Sequence, residues 1–400
     1  MKKSKVFAFA GVTLLAATFL AACSGSKDSK SASKKDTTYG YVYTDDPTTL
    51  DYTVSSKASV HDITTNGVDG LLENDKYGNL VPSIAEDWSV SKDGLTYTYK
   101  IRKGVKWYDA DGEEHGEVTA HDFVTGLKHA ADKKSETLPL VQGSVKGLKD
   151  YVDGKITDFS QVGVKAVDDY TLEYTLNQPE TFWNSKTTNG VLMPINGEFL
   201  ESKGDNFGQP GDVKSILFNG PFLLKSITSK SEITFEKNED YWDKDNVHID
   251  KIKFSYYDGS DQDSLARGFT DGSYTVARLF PASSNFASVE EKYKDNIYNT
   301  QPGSGVAVLG FNIDRQAYNH TSKTSDDQKS STKKAILNKN FRQAITFALN
   351  RENYSAQVNG KEYAKAAIRN MYTAPAFVQV NGKDFGDVVA DKLQTYGDQW

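Results

Sequence analysis

Asp93-Gly94-Leu95-Thr96-Tyr97-Thr98-Tyr99-Lys100-Ile101-Arg102-Lys103-Gly104-Val105-Lys106-Trp107 is the stretch from which the fold of this 400-residue chain is best read. Leu95 to Ile101 alternates apolar and polar residues, the period of a half-buried strand. Trp88-Ser89-Val90 runs into Lys92-Asp93-Gly94 from the other side. Asp-Gly between two alternating runs is a strong hairpin signal.

Working outward, Thr119-Ala120-His121-Asp122 predicts a helix start, with Thr119 as N-cap and Asp122 near the positive helix end. Phe123, Leu127, Ala130 and Ala131 then share one helical face. Val164-Lys165-Ala166-Val167, the turn Asp168-Asp169 and Thr171 to Leu176 read as a second hairpin. Phe222-Leu223-Leu224 and Ile233-Thr234-Phe235-Glu236 read as paired strands, residues 249–257 alternate again, and residues 261–269 read as a short helix. Asn340 to Asn350 predicts an amphipathic helix with Phe341, Ala344, Ile345, Ala348 and Leu349 on one face. Residues 319–334 are polar and read as a mobile loop. Trp107, Trp242 and Phe341 read as core residues. Order starts near Tyr39-Gly40-Tyr41-Val42-Tyr43, and no internal repeat is visible. Strands and helices mixed in this order give an α/β body.

The single cysteine, Cys23, ends the run Leu20-Ala21-Ala22-Cys23. Lys2, Lys3 and Lys5 precede an apolar stretch that is short for a spanning helix and contains Gly11 and two threonines. A positive start, an apolar middle and small residues before a cut site describe a secretory signal. With cysteine at the first retained position it resembles a bacterial lipoprotein signal, in which the thiol of Cys23 carries the lipid. Residues 24–38 are rich in Ser and Lys and too poor in apolar groups to build a core, so they read as a solvated tether. Beyond Cys23 no disulfide can form.

Residues 1–22 hold three lysines and no acid, so the formal charge of −7 becomes −10 without them. That balance excludes a nucleic-acid partner, whose phosphates demand a basic surface. Aromatic residues make up 12% of the chain, with 22 Tyr and 20 Phe. Tyrosine joins a flat apolar face to a polar tip, which suits varied organic ligands, and it also simply favours strands.

The sequence contains no G-x-S-x-G elbow, no H-E-x-x-H and no phosphate-binding lysine loop. Glu113-Glu114-His115, with Glu117, His121 and Asp122, is the sharpest metal candidate. His115 and His121 are six apart, which suits neither one helical face nor a standard zinc spacing. An exposed acidic turn before a capped helix is the simpler reading. No metal, cofactor or enzymatic role is expected.

Ser83-Ile84-Ala85-Glu86-Asp87-Trp88 with residues 93–107 resembles a signature of the peptide-binding proteins of ABC importers. Thr119-Ala120-His121-Asp122-Phe123 resembles the helix start that follows in that family. Asn219-Gly220-Pro221-Phe222 with Phe235-Glu236-Lys237-Asn238 and Tyr241-Trp242 resembles the next block, and Asn340-Phe341-Arg342-Gln343-Ala344-Ile345 through Asn350-Arg351 resembles another. With the lipoprotein signal, the chain is similar to the oligopeptide-binding lipoproteins of the streptococcal Ami/Ali type, family 5 of the extracellular solute-binding proteins. The resemblance implies a two-lobed periplasmic-binding-protein-like fold with an extra β-rich domain in the first lobe. Lobe I would take residues 39–76 and 185–285, the β-rich domain residues 77–184, and lobe II would start at 286. Family members continue well beyond the point reached by Trp400, so an incomplete second lobe, with part of the 341–349 helix face exposed, is expected, as is an unstable or weakly binding product.

The resemblance further implies an extended oligopeptide enclosed between the lobes. Hydrogen bonds to its backbone give affinity without selecting sequence, and roomy pockets take its side chains. A membrane permease would receive the peptide, for uptake or for signal sensing. The protein would be a monomer, lipid-anchored on the outer face of a Gram-positive-type cell membrane. Ser56, Lys57 and Ala58 match the first-lobe segment that meets the peptide backbone, or form an ordinary polar loop. Arg278, with Leu279 and Phe280, sits where the chain leaves the first lobe. Its guanidinium would pair with a ligand carboxylate or serve in a hinge salt bridge. Gly310-Phe311-Asn312 would end an apolar strand, with Asn312 reaching the cleft or bonding its own backbone. The family also contains binders of dipeptides and other solutes, and a surface adhesin that reuses the fold is a further reading. A secreted peptidase lacks visible catalytic groups.

Overall fold

A computed structural model describes residues 37–298, 305–373 and 378–395. Cys23, most of the tether and Trp400 lie outside the described residues. From the amino end the elements are strand β1 (Thr38–Tyr43), helix α1 (Ala58–Thr64), β2 (Leu72–Asn74), β3 (Leu80–Pro82), β4 (Ala85–Val90), β5 (Thr96–Ile101), β6 (Lys106–Tyr108) and β7 (Glu114–Glu117). Helix α2 (Ala120–Asp132), α3 (Leu148–Val152), β8 (Val164–Asp168), β9 (Thr171–Thr175), α4 (Trp183–Lys186) and α5 (Gly197–Lys203) follow. Next come β10 (Phe222–Thr228), β11 (Glu232–Lys237), β12 (Lys251–Tyr256), α6 (Asp263–Thr270) and α7 (Phe286–Tyr293). The last described elements are α8 (Asp326–Leu337), α9 (Lys339–Ala348), α10 (Arg351–Tyr363), the short strands β13 (Gln379–Val380) and β14 (Lys383–Asp384), and α11 (Phe385–Gln394). The body is mixed α/β, as expected. Among the described residues no helix is long and apolar enough to cross a membrane.

The Asp93-Gly94 signal produces the hairpin β4–β5, with Val90 opposite Tyr97 and Trp88 opposite Tyr99. Gly94 takes φ +73°, the left-handed turn conformation. The second predicted hairpin is β8–β9, and the two join into one antiparallel sheet ordered β4-β5-β9-β8. Tyr97 and Tyr99 point to its buried face, where Tyr99 meets Tyr174 edge to face at 6.2 Å. Helix α2 lies against β8 and β9 and buries Phe123, Leu127, Ala130 and Ala131, the face read from the sequence. Thr119 is its N-cap, and Asp122 Oδ2 accepts the Thr119 N–H at 2.9 Å. Trp107 and Trp183 complete this core.

A second sheet runs β1-β12-β11-β10. β1 pairs in parallel with β12, so residues more than 200 positions apart in the chain share one ladder. Its core gathers Leu50, Phe218, Leu224, Ile233 and Phe235. Thr275 flanks the free edge of β1: Gly40 N donates to Thr275 Oγ1 at 2.9 Å, and Thr275 N donates to the Gly40 carbonyl at 2.8 Å.

Three expectations need correction. Phe341 is not core: it is 44% exposed on α9, and Leu349, which follows the helix, is exposed as well. Trp242 is only partly buried, packed at the edge of the β-rich core. Residues 319–334 are not all loop. Ser325 and Gln328 form a capping box, with Ser325 Oγ accepting from Gln328 N and Gln328 Oε1 from Ser325 N, and this starts α8.

Candidate functional site

Ser56, Lys57 and Ala58 form an exposed bend that enters α1. The bend is tightly held. Ser56 donates twice to one oxygen of Glu136: its N–H at 2.9 Å and its hydroxyl at 2.7 Å. Those two bonds, with the Lys57 ammonium nearby, keep the Glu136 carboxyl below its ordinary pKa. Both Ser56 donors are therefore spent, leaving its carbonyl and its hydroxyl oxygen as acceptors. Lys57 caps α1 with its carbonyl, which accepts from Val60 and His61, while its ammonium stays in solvent.

Upstream, Asp51 Oδ1 accepts from the Thr53 N–H and hydroxyl, at 3.1 and 2.7 Å. Asp51 Oδ2 meets His129 Nε2 at 2.7 Å, with the two side chains 8% and 9% exposed. Beside the bend lies a cavity of about 130 Å³ lined by Tyr52, His61, Val68, Asn189, Gly190 and Met193, among others. His61 donates from Nε2 to the Ser55 carbonyl at 2.8 Å, so its Nδ1 is the acceptor of the neutral ring.

Arg278 is exposed, and Leu279 and Phe280 are half-buried in an extended segment without ladder bonds. The Arg278 guanidinium stacks on the Phe280 ring at 4.6 Å. No salt bridge to Arg278 forms among the described residues. Pro281 packs on α10, where a Cβ on Gly360 would stand 2.6 Å from the proline Cβ.

The strand expected to end at Asn312 is not there: residues 305–312 form no strand, and Asn312 Oδ1 accepts from Asp314 N at 3.2 Å in a local turn. An apolar run gave the strand reading, but no neighbouring strand exists among the described residues to pair with it. No hydrogen bond or ring contact joins residues 56–58, 278–280 and 312 among the described residues. His115 faces Asp109 at 3.4 Å and His121 faces Asp169 at 3.4 Å, so the two histidines serve different partners. Among the described residues no group of three potential metal ligands comes together.

The sequence reading missed His129 and Glu136, which hold the bend, because their partners lie 78 and 80 positions away. It also missed Asp69, a buried carboxylate that accepts from the Tyr241 hydroxyl. The block Tyr241-Trp242 was visible, but nothing local pointed from it to Asp69.

Residues 79–388 match the model of the middle region of bacterial extracellular solute-binding proteins, family 5. The chain is 64% identical over its full length to the oligopeptide-binding protein AmiA of Streptococcus pneumoniae and 61% identical to AliA of the same organism. It spans 60% of the length of each of these relatives. Among solved structures it is similar to Listeria monocytogenes OppA bound to peptide, with a TM-score of 0.69 at 27% identity, covering 88% of this chain and 64% of that one.

Proposed function

Given that the chain belongs to family 5 of the bacterial extracellular solute-binding proteins, a family of binding proteins rather than enzymes, we propose that it binds oligopeptides outside the cytoplasm and delivers them to the permease of an ABC importer. The observation that carries this is identity of 64% and 61% to two oligopeptide-binding proteins across the whole chain. The AmiA name covers a longer protein, so its ligand class is a proposal for this chain.

The proposed division places residues 39–76 and 185–285 in lobe I, residues 77–184 in the β-rich domain and residues from 286 in lobe II. A lipid on Cys23 would tether the monomeric body to the outer membrane face. In the cleft, the bend at Ser56, Lys57 and Ala58 would offer backbone groups to an extended peptide. Such contacts are the same for every sequence, which suits a broad receptor. Arg278, with Leu279 and Phe280 beside it, would take the peptide carboxylate through its unpaired guanidinium. Asn312 would contribute through its amide nitrogen, since its oxygen already accepts from the Asp314 N–H.

The test is native mass spectrometry of the protein purified from its own cells, followed by sequencing of whatever is released. A mixture of short peptides of varied sequence is the expected cargo, with the denatured mass showing lipid on Cys23. A cargo-free protein that ignores an added pool of random-sequence hexapeptides would overturn the reading.

A further inference from the structure

We propose that the last turn of α2 and the turn after it position the ligand-contacting bend, so that His129, Ser135 and Glu136 act on ligand affinity without touching the ligand. This rests on the peptide-binding reading above. Four successive ties carry it. His129 Nε2 holds Asp51 Oδ2 at 2.7 Å. The Ser135 hydroxyl donates to the Thr53 carbonyl at 2.7 Å. Glu136 N donates to the Val54 carbonyl at 2.9 Å. Glu136 Oε2 takes both donors of Ser56.

The ties fall at residues 51, 53, 54 and 56, so the segment that leads into the bend, and Ser56 with it, cannot swing as a unit without breaking several of them. The backbone of the turn is shaped for this task. Lys134 takes φ +54°, a left-handed conformation that a non-glycine residue adopts at a cost. That conformation directs Ser135 and Glu136 back toward the bend, and Ser135 N closes the turn on the Ala130 carbonyl at 2.9 Å. The Phe207 and His129 rings meet edge to face at 5.5 Å, which helps to fix the imidazole against Asp51.

A flexible bend would have to be ordered by the ligand, and that ordering would be subtracted from affinity. Holding it in advance removes the loss. The element that does so, α2, packs on the sheet of the β-rich region, so that region gains a part in peptide binding that needs no direct contact.

The exposed Glu136 is the residue to change, because replacing buried His129 risks the fold itself. The full protein would be compared with Glu136→Ala, Glu136→Gln, Ser56→Ala and the double variant Ser56→Ala/Glu136→Ala. Two readings are taken: amide hydrogen exchange at residues 54–58 without peptide, and affinity for a pool of random-sequence hexapeptides. Glu136→Ala is expected to speed exchange at Ser56 and to weaken peptide binding about tenfold, the scale of a lost charge-assisted contact. Glu136→Gln, which keeps an acceptor, should recover part of both. The double variant should bind no more weakly than Glu136→Ala alone.

Unchanged exchange at Ser56 would overturn the clamp. Faster exchange with unchanged affinity would overturn its role in binding, and additive losses in the double variant would overturn the route through Ser56. An unsubstituted protein that binds no peptide would instead overturn the peptide-binding reading, and the ligand half of this proposal with it.

Discussion

The Tyr241 hydroxyl donates to Asp69 Oδ2 across 2.7 Å in a largely buried site. Asn219 Oδ1 accepts the Asp69 N–H at 2.7 Å, which ties the connection between α1 and β2 to the block before β10. Trp242 comes close with its indole N–H but forms no hydrogen bond, and the Arg102 guanidinium stacks over that indole at 4.1 Å. Glu73 and Asp243 add negative charge nearby. Burial, helped by the Glu73 charge and opposed by the Tyr241 hydrogen bond, pushes the Asp69 carboxyl up to about 7.

This sets a sign for pH dependence. The unfolded chain releases the Asp69 proton near pH 4, whereas the folded chain holds it to about 7. Between those values the folded state binds more protons, so the contribution of Asp69 to stability falls as pH rises, then levels off above 7. The full shift corresponds to at most roughly 4 kcal/mol. Asp122, pushed up to about 6 by its own burial, adds a smaller slope of the same sign. Urea unfolding of Asp69→Asn should give a distinctly smaller loss of stability between pH 5 and pH 8 than the unsubstituted protein. Equal slopes would show that Asp69 is ionised in the fold at little cost.

Trp107 is fully buried and donates from Nε1 to Asp122 Oδ2 at 3.1 Å, while Asp122 also caps the start of α2. Trp107→Phe removes the donor and leaves unfilled volume. The loss should be about 2–4 kcal/mol in urea unfolding at pH 7, a sum of the cavity and of the weakened carboxylate shell. A loss below about 0.5 kcal/mol, the scale of an ordinary surface change, would mean that water or Thr119 satisfies Asp122 without the indole.

Gly126 sits inside α2, where alanine would ordinarily add about 1 kcal/mol of helix stability. Here the added Cβ would stand 2.2 Å from the Met193 carbonyl oxygen, and the neighbouring Ile195 N–H is bound to the Asp122 carbonyl at 3.0 Å. The obstacle is backbone, so it cannot swing aside as a side chain would. Overpacking of this kind costs about 1–3 kcal/mol and outweighs the propensity gain. Gly126→Ala should therefore melt lower than the unsubstituted protein. A higher melting temperature would refute the close approach of α2 to residues 193–195.

How far the sequence could be read depended on the range of the interaction. The β4–β5 hairpin and the start of α2 were legible because Asp93-Gly94 and Thr119/Asp122 act within a few residues. The face of α9 was legible as a pattern, yet Phe341 is 44% exposed where Phe123, on the same kind of face, is fully buried. Periodicity says which residues share a face, not whether another element covers it. The start of α8 carried a local signal, Ser325 three before Gln328, that the polar composition masked. Asp51–His129 and Ser56–Glu136 had no local signal, since each pair closes a loop of about 80 residues and only the folded chain brings them together.

Arg278 offers the most direct test of ligand chemistry. Its guanidinium stacks on Phe280 at 4.6 Å, and no described carboxylate pairs with it. An exposed stack of this kind is worth about 0.5–1 kcal/mol, too little to explain a fixed cation by itself. If Arg278 receives the peptide carboxylate, Arg278→Ala should weaken hexapeptides with free carboxyl termini about tenfold, as a charge-assisted bond is lost. The same peptides with amidated termini should bind the variant and the unsubstituted protein alike, because neither offers them an ion pair. The folding free energy should move by no more than about 1 kcal/mol. Isothermal titration with both peptide forms separates the outcomes. Equal weakening of free and amidated peptides would assign Arg278 to shaping the segment around Phe280, and no weakening of either would remove it from the site.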